Sequence, residues 1–468
     1  MYITLDRNNQ ISLSKQIYNF IKESIFSGKL KQGERLPSTR ELSKDLNVSR
    51  NVVIESYEQL LAEGYTYTKN GSGTYVADGI IFKKTVFNPC VKESKTILKQ
   101  PNEEVISFRT GVPDLTSIPI KKWGQIYKDI TLSVLPSHMD YQDSYGEYEL
   151  RYQLSHYLYR VRGVNTNPEN ILITTGAAQA FSLLCQLVSK DEYALVENPL
   201  SYGILHTLKS KNVKIQPIPV DEFGMKTSKL PHIAPKLIFT TPSHQFPTGV
   251  ILPIKRRIEM IEYARKHNIY IVEDDYDSEF RFTGSPIQSM QNLDPTCVIY
   301  VGTFSKTLMP SLRMGYVVLP DALCTSMKEA KYTADLHSPT LEQLTMAKFI
   351  EDGHFDLHIK KMRNIYLKKR NHLIKCLNEN FKDKVSISGA DAGMHLVASF
   401  KDICFDTVLM KKIEDSYLEL TPISKHYIYD ENNAHLKHIH DNSLIFGYGN
   451  TSLEAIETGI KRLHSILS

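Results

Sequence analysis

Five short runs rich in β-branched and aromatic residues recur through the middle of the chain: NILIT (170–174), EYALVE (192–197), KLIFTTP (236–242), IYIVEDD (269–275) and VIYVGTFSK (298–306). Helical spacing fills the stretches between them, as in RRIEMIEYARKHN (256–268). Strands separated by helical crossovers pair side by side in the same direction. From Ile106 onward the pattern therefore commits the chain to a largely parallel α/β sheet. Sheets of this kind collect ligands at the C-terminal ends of their strands. The unusual polar residues gather there: Gly176 and Gln179, Asn198 and Tyr202, Thr241 to Gly249, Asp274 and Tyr276, and Thr303 to Lys306.

Those residues share a chemical theme. TTGAAQA (174–180) turns from strand into helix, which aims the N–H groups of Ala177 and Ala178 at an anion such as phosphate. Thr303 and Ser305 add hydroxyls, and Arg313 a charge-assisted fork, to the same phosphate. Asp274, at a strand end, suits a buried carboxylate facing a ring cation. Tyr276, two residues on in extended backbone, points the same way and donates to a phenolate-like oxygen. Lys306 can form a Schiff base with an aldehyde, and Tyr202 can stack on an aromatic ring. One phosphate, one pyridinium, one phenolic oxygen and one aldehyde describe pyridoxal 5′-phosphate. Each residue alone has a plainer reading, a strand-end Asp as a cap and a Lys as surface charge; the set in this order carries the assignment.

The first 77 residues read differently. Leu13, Ile17, Phe20, Ile21 and Ile25 make one face of an amphipathic helix that ends by Gly28. Ser38 with Glu41 makes a capping box for a short helix to Leu46. Ser49 caps a second helix that turns Val52, Val53, Tyr57, Leu60 and Leu61 inward. Two short helices about a tight turn, followed by the hairpin GYTYTKNGSGTYVA (64–77), predict a winged helix-turn-helix. Arg40, Ser49, Arg50 and Asn51 fall at helix N-termini, where phosphates and base edges are met. Arg50 matches guanine and Asn51 adenine, while Lys69 at the wing tip suits a phosphate or the minor groove. With ten Lys/Arg against eight Asp/Glu in residues 1–76, one such domain binds double-stranded DNA weakly. Two half-sites, and hence a homodimer, are expected.

GERLPSTREL, LNVSR, YEQLLAEGY and GSGTYV closely resemble the winged helix of GntR-type repressors, over nearly all of residues 10–77, with SRNVV where that family usually has SRxTV. Residues 107–465 resemble a fold-type-I aminotransferase, in the version fused to a GntR domain in MocR/GabR-type regulators. The resemblance is carried by SFRTGVPDL, YGEYELRYQLSHYLYRVRGV, TTGAAQAFSLL, ENPLSY, TPSHQFPTG, VEDDYDSEFRF and GTFSKTLMPSLRMGY. It implies that Lys306 is the cofactor-linking lysine, Asp274 the partner of the pyridine nitrogen, Tyr276 the contact of the 3′-oxygen and Tyr202 the neighbour of the ring. Thr303, Ser305 and Arg313 would hold the phosphate, with Tyr141 reaching it from a partner subunit. It also implies head-to-tail dimers. GAAQ carries Ala178 where many relatives have Gln, so the phosphate contact there rests on backbone. HQFPTG replaces the NPTG of aminotransferases, which brings His244 or Gln245 near the ring.

An aminotransferase usually holds its substrate carboxylate with an Arg near the C-terminus. After Arg370 the chain has only Arg462, in the terminal helix, and none in DNSLIFGYGN (441–450). A second Arg that GABA-sensing relatives place two residues after the stacking Tyr is Ile204 here. The expectation is therefore a ligand-sensing transcription regulator without physiological turnover, responding to pyridoxal phosphate or its adduct with a small amine. His244, His337 and His395 are candidate polar contacts, each with a satisfied structural histidine as the plainer reading. The alternatives are a working aminotransferase with an accessory DNA-binding domain, and a DNA-binding protein whose large domain only dimerises. Six scattered cysteines without a C-x-x-C pair favour reduced thiols in a cytoplasm, and no metal site is expected. No apolar run is long enough for a membrane span. The expected organisation is a winged helix over 1–77, a linker over 78–105 and an effector domain over 106–468.

Overall fold

The computed structural model describes residues 3–79, 105–285, 287–429 and 441–468. The chain divides into two compact units at Gln100 and Pro101. The expected linker therefore lies outside the described residues except for Asp78, Gly79 and Val105.

The N-terminal unit builds its own core. Helix α1 (Leu13–Phe26) buries Ile17, Ile21 and Ile25, and α2 (Thr39–Asp45) starts on the Ser38/Glu41 capping box. Asn47 adopts a positive φ of 51°, the left-handed turn that lets α3 (Arg50–Ala62) leave at an angle. Strands β1 (Thr66–Lys69) and β2 (Gly73–Val76) pair antiparallel as the wing. Val53, Tyr57 and Leu60 point inward as expected, but Leu61 is 42% exposed. Leu60 already faces the core, and the next helical position, about 100° round, meets solvent.

The second unit opens with β3 (Ile106–Ser107), α4 (Ile120–Ser133) and α5 (Tyr148–Arg162). Its main sheet is formed by β4 (Ile171–Thr174), β5 (Tyr193–Asn198), β6 (Lys214–Asp221), β7 (Gly224–Met225), β8 (Leu237–Thr240), β9 (Tyr270–Asp275), β10 (Val298–Thr303) and β11 (Gly315–Val318). Their order across the sheet is β4-β11-β10-β9-β8-β5-β6-β7. The five strands read from the sequence are all present. Strands β10, β9, β8, β5 and β6 run parallel, whereas β11 lies antiparallel between β10 and β4. Only a short connection separates β10 from β11, too short for a helical crossover back to a parallel start.

Both faces are covered over the middle of this sheet, so its central strands are largely apolar, whereas β6 near the edge is mostly exposed or half-buried. Leu172, Val196, Phe239, Val272 and Val301 pack with α6 (Ala177–Leu184) and α7 (Tyr202–Ser210). Leu195, Ile238 and Ile271 pack on the opposite face with α8 (Ile254–His267), and Ile173, Tyr300 and Val318 with α5. The short helix α9 (Phe304–Thr307) follows β10 directly. After α10 (Asp321–Asp335), α11 (Thr340–Glu351) and α12 (His354–Phe381), the chain forms an antiparallel sheet. It contains β12 (Val385–Ser388), β13 (His395–Phe400), β15 (Thr421–Pro422) and β16 (Ser443–Gly447), and shares a core with α12 and α14 (Leu453–Leu467). Helix α13 (Thr407–Asp415) and β14 (Leu418–Glu419) complete this part, with β14 parallel to β3. No described helix is long and apolar enough to cross a membrane.

Candidate cofactor site and nucleic-acid interface

Lys306 lies on α9, one turn beyond the end of β10, and is largely buried. Its Nζ donates to the Gly111 carbonyl at 2.6 Å. Gly111 has φ +71°, a conformation that favours glycine, and a Cβ there would stand 2.8 Å from Nζ and push the lysine head aside. Burial pulls the Lys306 ammonium below its ordinary pKa. Arg109 and Arg313 add to that shift, while Asp274 and Asp277 oppose it. A lysine lowered this way has a larger neutral, nucleophilic fraction.

Asp274 ends the adjacent strand and is 9% exposed. Burial, then Asp275, Asp277 and Glu197, push its carboxyl up to about 8, with Lys306 pulling the other way. Asp275 is held by the buried Arg162 at 2.7 Å and by the Tyr300 hydroxyl at 2.5 Å. Glu197 accepts from the hydroxyls of Thr240 (2.7 Å) and Thr241 (2.6 Å). Among the described residues nothing hydrogen-bonds the Asp274 carboxylate. An acid in that state is a socket for a ring N–H, and this is the fit expected for a pyridinium.

The anion end is built from β4, α6 and the loop before β11. Gly176, φ 91°, is the N-cap of α6, and the N–H groups of Ala177 and Ala178 follow it. Arg313 also has a positive φ, 49°, and its guanidinium donates to the Thr175 carbonyl at 2.9 Å. A Cβ on Gly176 would stand 2.8 Å from that guanidinium, so backbone and cation share one small space. Thr303 and Ser305 are both buried beside it. The Thr303 hydroxyl caps α9 by accepting from the Ser305 N–H at 3.2 Å. Gln179 turns back to the Thr175 N–H (2.9 Å) and to Asp335 (2.7 Å).

Tyr276 is half-buried, and desolvation together with Asp277, Asp274 and Asp275 holds its phenol well above the ordinary tyrosine range, so it remains a donor. Its hydroxyl lies 3.1 Å from both Nδ1 and the carbonyl oxygen of His244. Gln245 is also buried, tied to the Pro199 carbonyl at 2.8 Å. Tyr202 opens α7, is 65% exposed, and stacks on His206 with centroids 5.7 Å apart. Tyr141 is exposed, against His337, whose Nδ1 bonds the Ser338 carbonyl at 3.0 Å. Arg462 donates to the Ser416 carbonyl at 3.2 Å, tying the last helix to the end of α13.

Several residues escaped the sequence reading. Arg162 sits inside YRVRGV, where helical spacing gives no sign that it is 3% exposed behind Asp275. Asp277, in DYDSEF, was legible as a carboxylate but not as the partner of His244 at 2.9 Å. Arg109, in SFRTGVPDL, is exposed, and its charge acts on Lys306. A search for cations confined to the C-terminus and position 204 overlooks it.

In the small unit, Arg40 lies in the first turn of α2, and Arg50 and Asn51 open α3; all three are exposed. Arg50 Nε rests on the Thr39 hydroxyl at 3.3 Å, bridging the two helices of the turn. Ser49 is the N-cap residue of α3, but its hydroxyl makes no capping bond. Lys69 ends β1 over the rings of Tyr67 and Tyr75.

Residues 103–418 match the model of aminotransferase class I and II, and residues 13–76 that of the bacterial regulatory proteins of the gntR family. The chain is 32% identical, over 99% of its own length and 95% of the relative's, to the probable rhizopine catabolism regulatory protein MocR of Rhizobium meliloti. It is 27% identical, over 96% of this chain and 94% of the relative, to the HTH-type pyridoxine biosynthesis transcriptional regulator PdxR of Corynebacterium glutamicum. Among solved structures it is similar to the kynurenine aminotransferase of Pyrococcus horikoshii, with a TM-score of 0.70 and 25% identity over 78% of this chain and 91% of that one.

Proposed function

From the premise that this chain belongs to the MocR-type transcriptional regulators, with a GntR winged helix joined to a class I and II aminotransferase domain, we propose that it binds operator DNA as a homodimer and senses pyridoxal 5′-phosphate or its adduct with a small amine. The observation that carries the sensing role is Asp274: buried, neutralised, unpartnered among the described residues and within the field of Lys306. In this reading Asp274 takes the ring nitrogen, Tyr276 the phenolic oxygen, and Lys306 the aldehyde carbon. The backbone of Ala177 and Ala178, with Thr303, Ser305 and Arg313, takes the phosphate. When bound, the cofactor supplies an electrophilic carbon and an electron-withdrawing ring.

Arg40, Ser49, Arg50, Asn51 and Lys69 form the DNA face, exposed as such contacts require. The homodimer, head-to-tail as in the family it resembles, is supported by apolar side chains left exposed around α4 and α5. Leu132, Leu135, Met139 and Tyr141 are each more than 60% exposed. The ligand changes DNA binding by as much as it prefers one arrangement of the dimer over another; a few kcal/mol of coupling suffices.

Borohydride reduction of the full-length protein with pyridoxal phosphate should fix cofactor mass on Lys306. Selection of bound genomic fragments with and without the cofactor should then give different sets. Rapid transamination of a common amino acid by the purified protein would sink the sensor reading in favour of an aminotransferase.

A further inference from the structure

Behind Tyr276 lies a buried pair that none of the proposed cofactor contacts uses. His244 Nδ1 is 2.9 Å and 3.2 Å from the two carboxylate oxygens of Asp277. The two side chains are 2% and 1% exposed. Gly393, φ +75°, closes one side: a Cβ there would stand 2.2 Å from Asp277 Oδ2 and 2.3 Å from His244 Cε1. His395 closes another, its ring centroid 5.0 Å from that of His244 and its Nε2 3.0 Å from the Pro247 carbonyl.

The charges around the pair decide its protonation. Burial, then the neighbouring His244, push the His395 imidazole down to about 3, so it is neutral. Burial also works against a charged His244, but Asp277, and more distantly Asp275, outweigh it and move that imidazole upward. Desolvation first, then the charges of Asp277, Asp274, Asp275 and Glu197, keep the Tyr276 phenol protonated.

Asp277 fixes a proton on His244 Nδ1, and the Tyr276 oxygen lies within 3.1 Å of that same nitrogen. An N–H that leans toward a phenol oxygen makes its O–H a stronger donor to an outside acceptor. In this structure that O–H donates to the His244 carbonyl at 3.1 Å, the acceptor that a cofactor oxygen would replace. We propose that His244, oriented by Asp277, is a positioning residue that sets how strongly Tyr276 donates to the phenolic oxygen of a cofactor held at Lys306. The arrangement is a carboxylate–imidazole–phenol relay through one shared N–H, in which the carboxylate sets the tautomer and ring orientation that bring that N–H to the phenol. The inference rests on the cofactor binding proposed above.

The test uses full-length protein loaded with pyridoxal phosphate and follows the pH midpoint at which the visible band of the bound cofactor converts to its near-ultraviolet form. Weakening a donor to a phenolate makes that oxygen more basic. His244→Gln and Asp277→Asn should therefore each raise the midpoint, by roughly half to one pH unit, in the same direction as Tyr276→Phe. On a Tyr276→Phe background neither should shift it further. Asp277→Asn is nearly isosteric and keeps the test available if His244→Gln does not fold. An unmoved midpoint, or shifts that add to that of Tyr276→Phe, overturns the proposal. So does a stoichiometric transition-metal ion that is retained on purification and lost in His395→Ala, which would make the cluster a metal site. If borohydride fixes no cofactor on the wild-type protein, the sensing function falls with it; a fixed cofactor with an unmoved midpoint overturns the relay alone.

Discussion

Asp274 has the most to disclose at the scale of single residues. In the folded, cofactor-free protein its carboxyl titrates at about 8, against an ordinary value near 4 in an unfolded chain. Its contribution to stability is therefore complete below about pH 4 and is lost as the pH rises toward 8. Asp274→Asn should remove that slope. Relative to wild type, the cofactor-free variant gains stability between about pH 5 and pH 8, by a few kcal/mol at most. Denaturant unfolding at several pH values measures this, and a wild type that gains on the variant as pH rises refutes it. The same variant should lose cofactor affinity. Such a residue was only half legible in the sequence. The strand-end position of Asp274 could be read, because alternation and length fix where IYIVEDD stops. Asp275 and Asp277 stand beside it in the sequence, but the burial that dominates its protonation and the acid Glu197 come from other elements, and no local pattern brings those together.

Capping separates structure from recognition at the scale of elements. Ser38 accepts from the Glu41 N–H at 3.2 Å, whereas the hydroxyl of Ser49 has no capping bond in the equivalent place. Ser38→Ala should therefore cost about 1 kcal/mol of stability, and Ser49→Ala less than about 0.5. If Ser49 meets a phosphate, its loss should appear in DNA affinity instead. Arg50→Ala should weaken operator binding by roughly tenfold or more, and Lys69→Ala should lower the salt slope by about one. Thermal melts and salt-dependent binding titrations check these together; a Ser49→Ala protein that melts early but binds normally would reverse the assignment. The helix-turn-helix and the parallel strands were readable because each announces itself through local spacing. The antiparallel insertion of β11 and the C-terminal sheet were not, since partner choice there is set by chain connections and by packing with α12 and α14.

At the scale of the whole molecule, half-site recognition and the exposed apolar side chains of α4 and α5 belong to one argument. A lone winged helix of modest charge holds DNA weakly, and pairing supplies the second contact without new chemistry. Charged replacements at Leu132 and Leu135, which are 76% and 62% exposed, should leave the fold intact. They should shift the sedimenting species toward the monomer and reduce operator affinity by about a hundredfold. Variants that remain dimeric, or monomers that bind as tightly as wild type, would break the link.

The same apolar strip has a consequence for the cell that makes this protein. On the proposed homodimer, while most copies are single and most operators empty, occupied operators rise with the square of the number of copies, so doubling expression quadruples occupancy. Leu132, Leu135, Met139 and Tyr141 would then set the dosage threshold at which a gene under this regulator begins to respond, well before any cofactor or amine is counted.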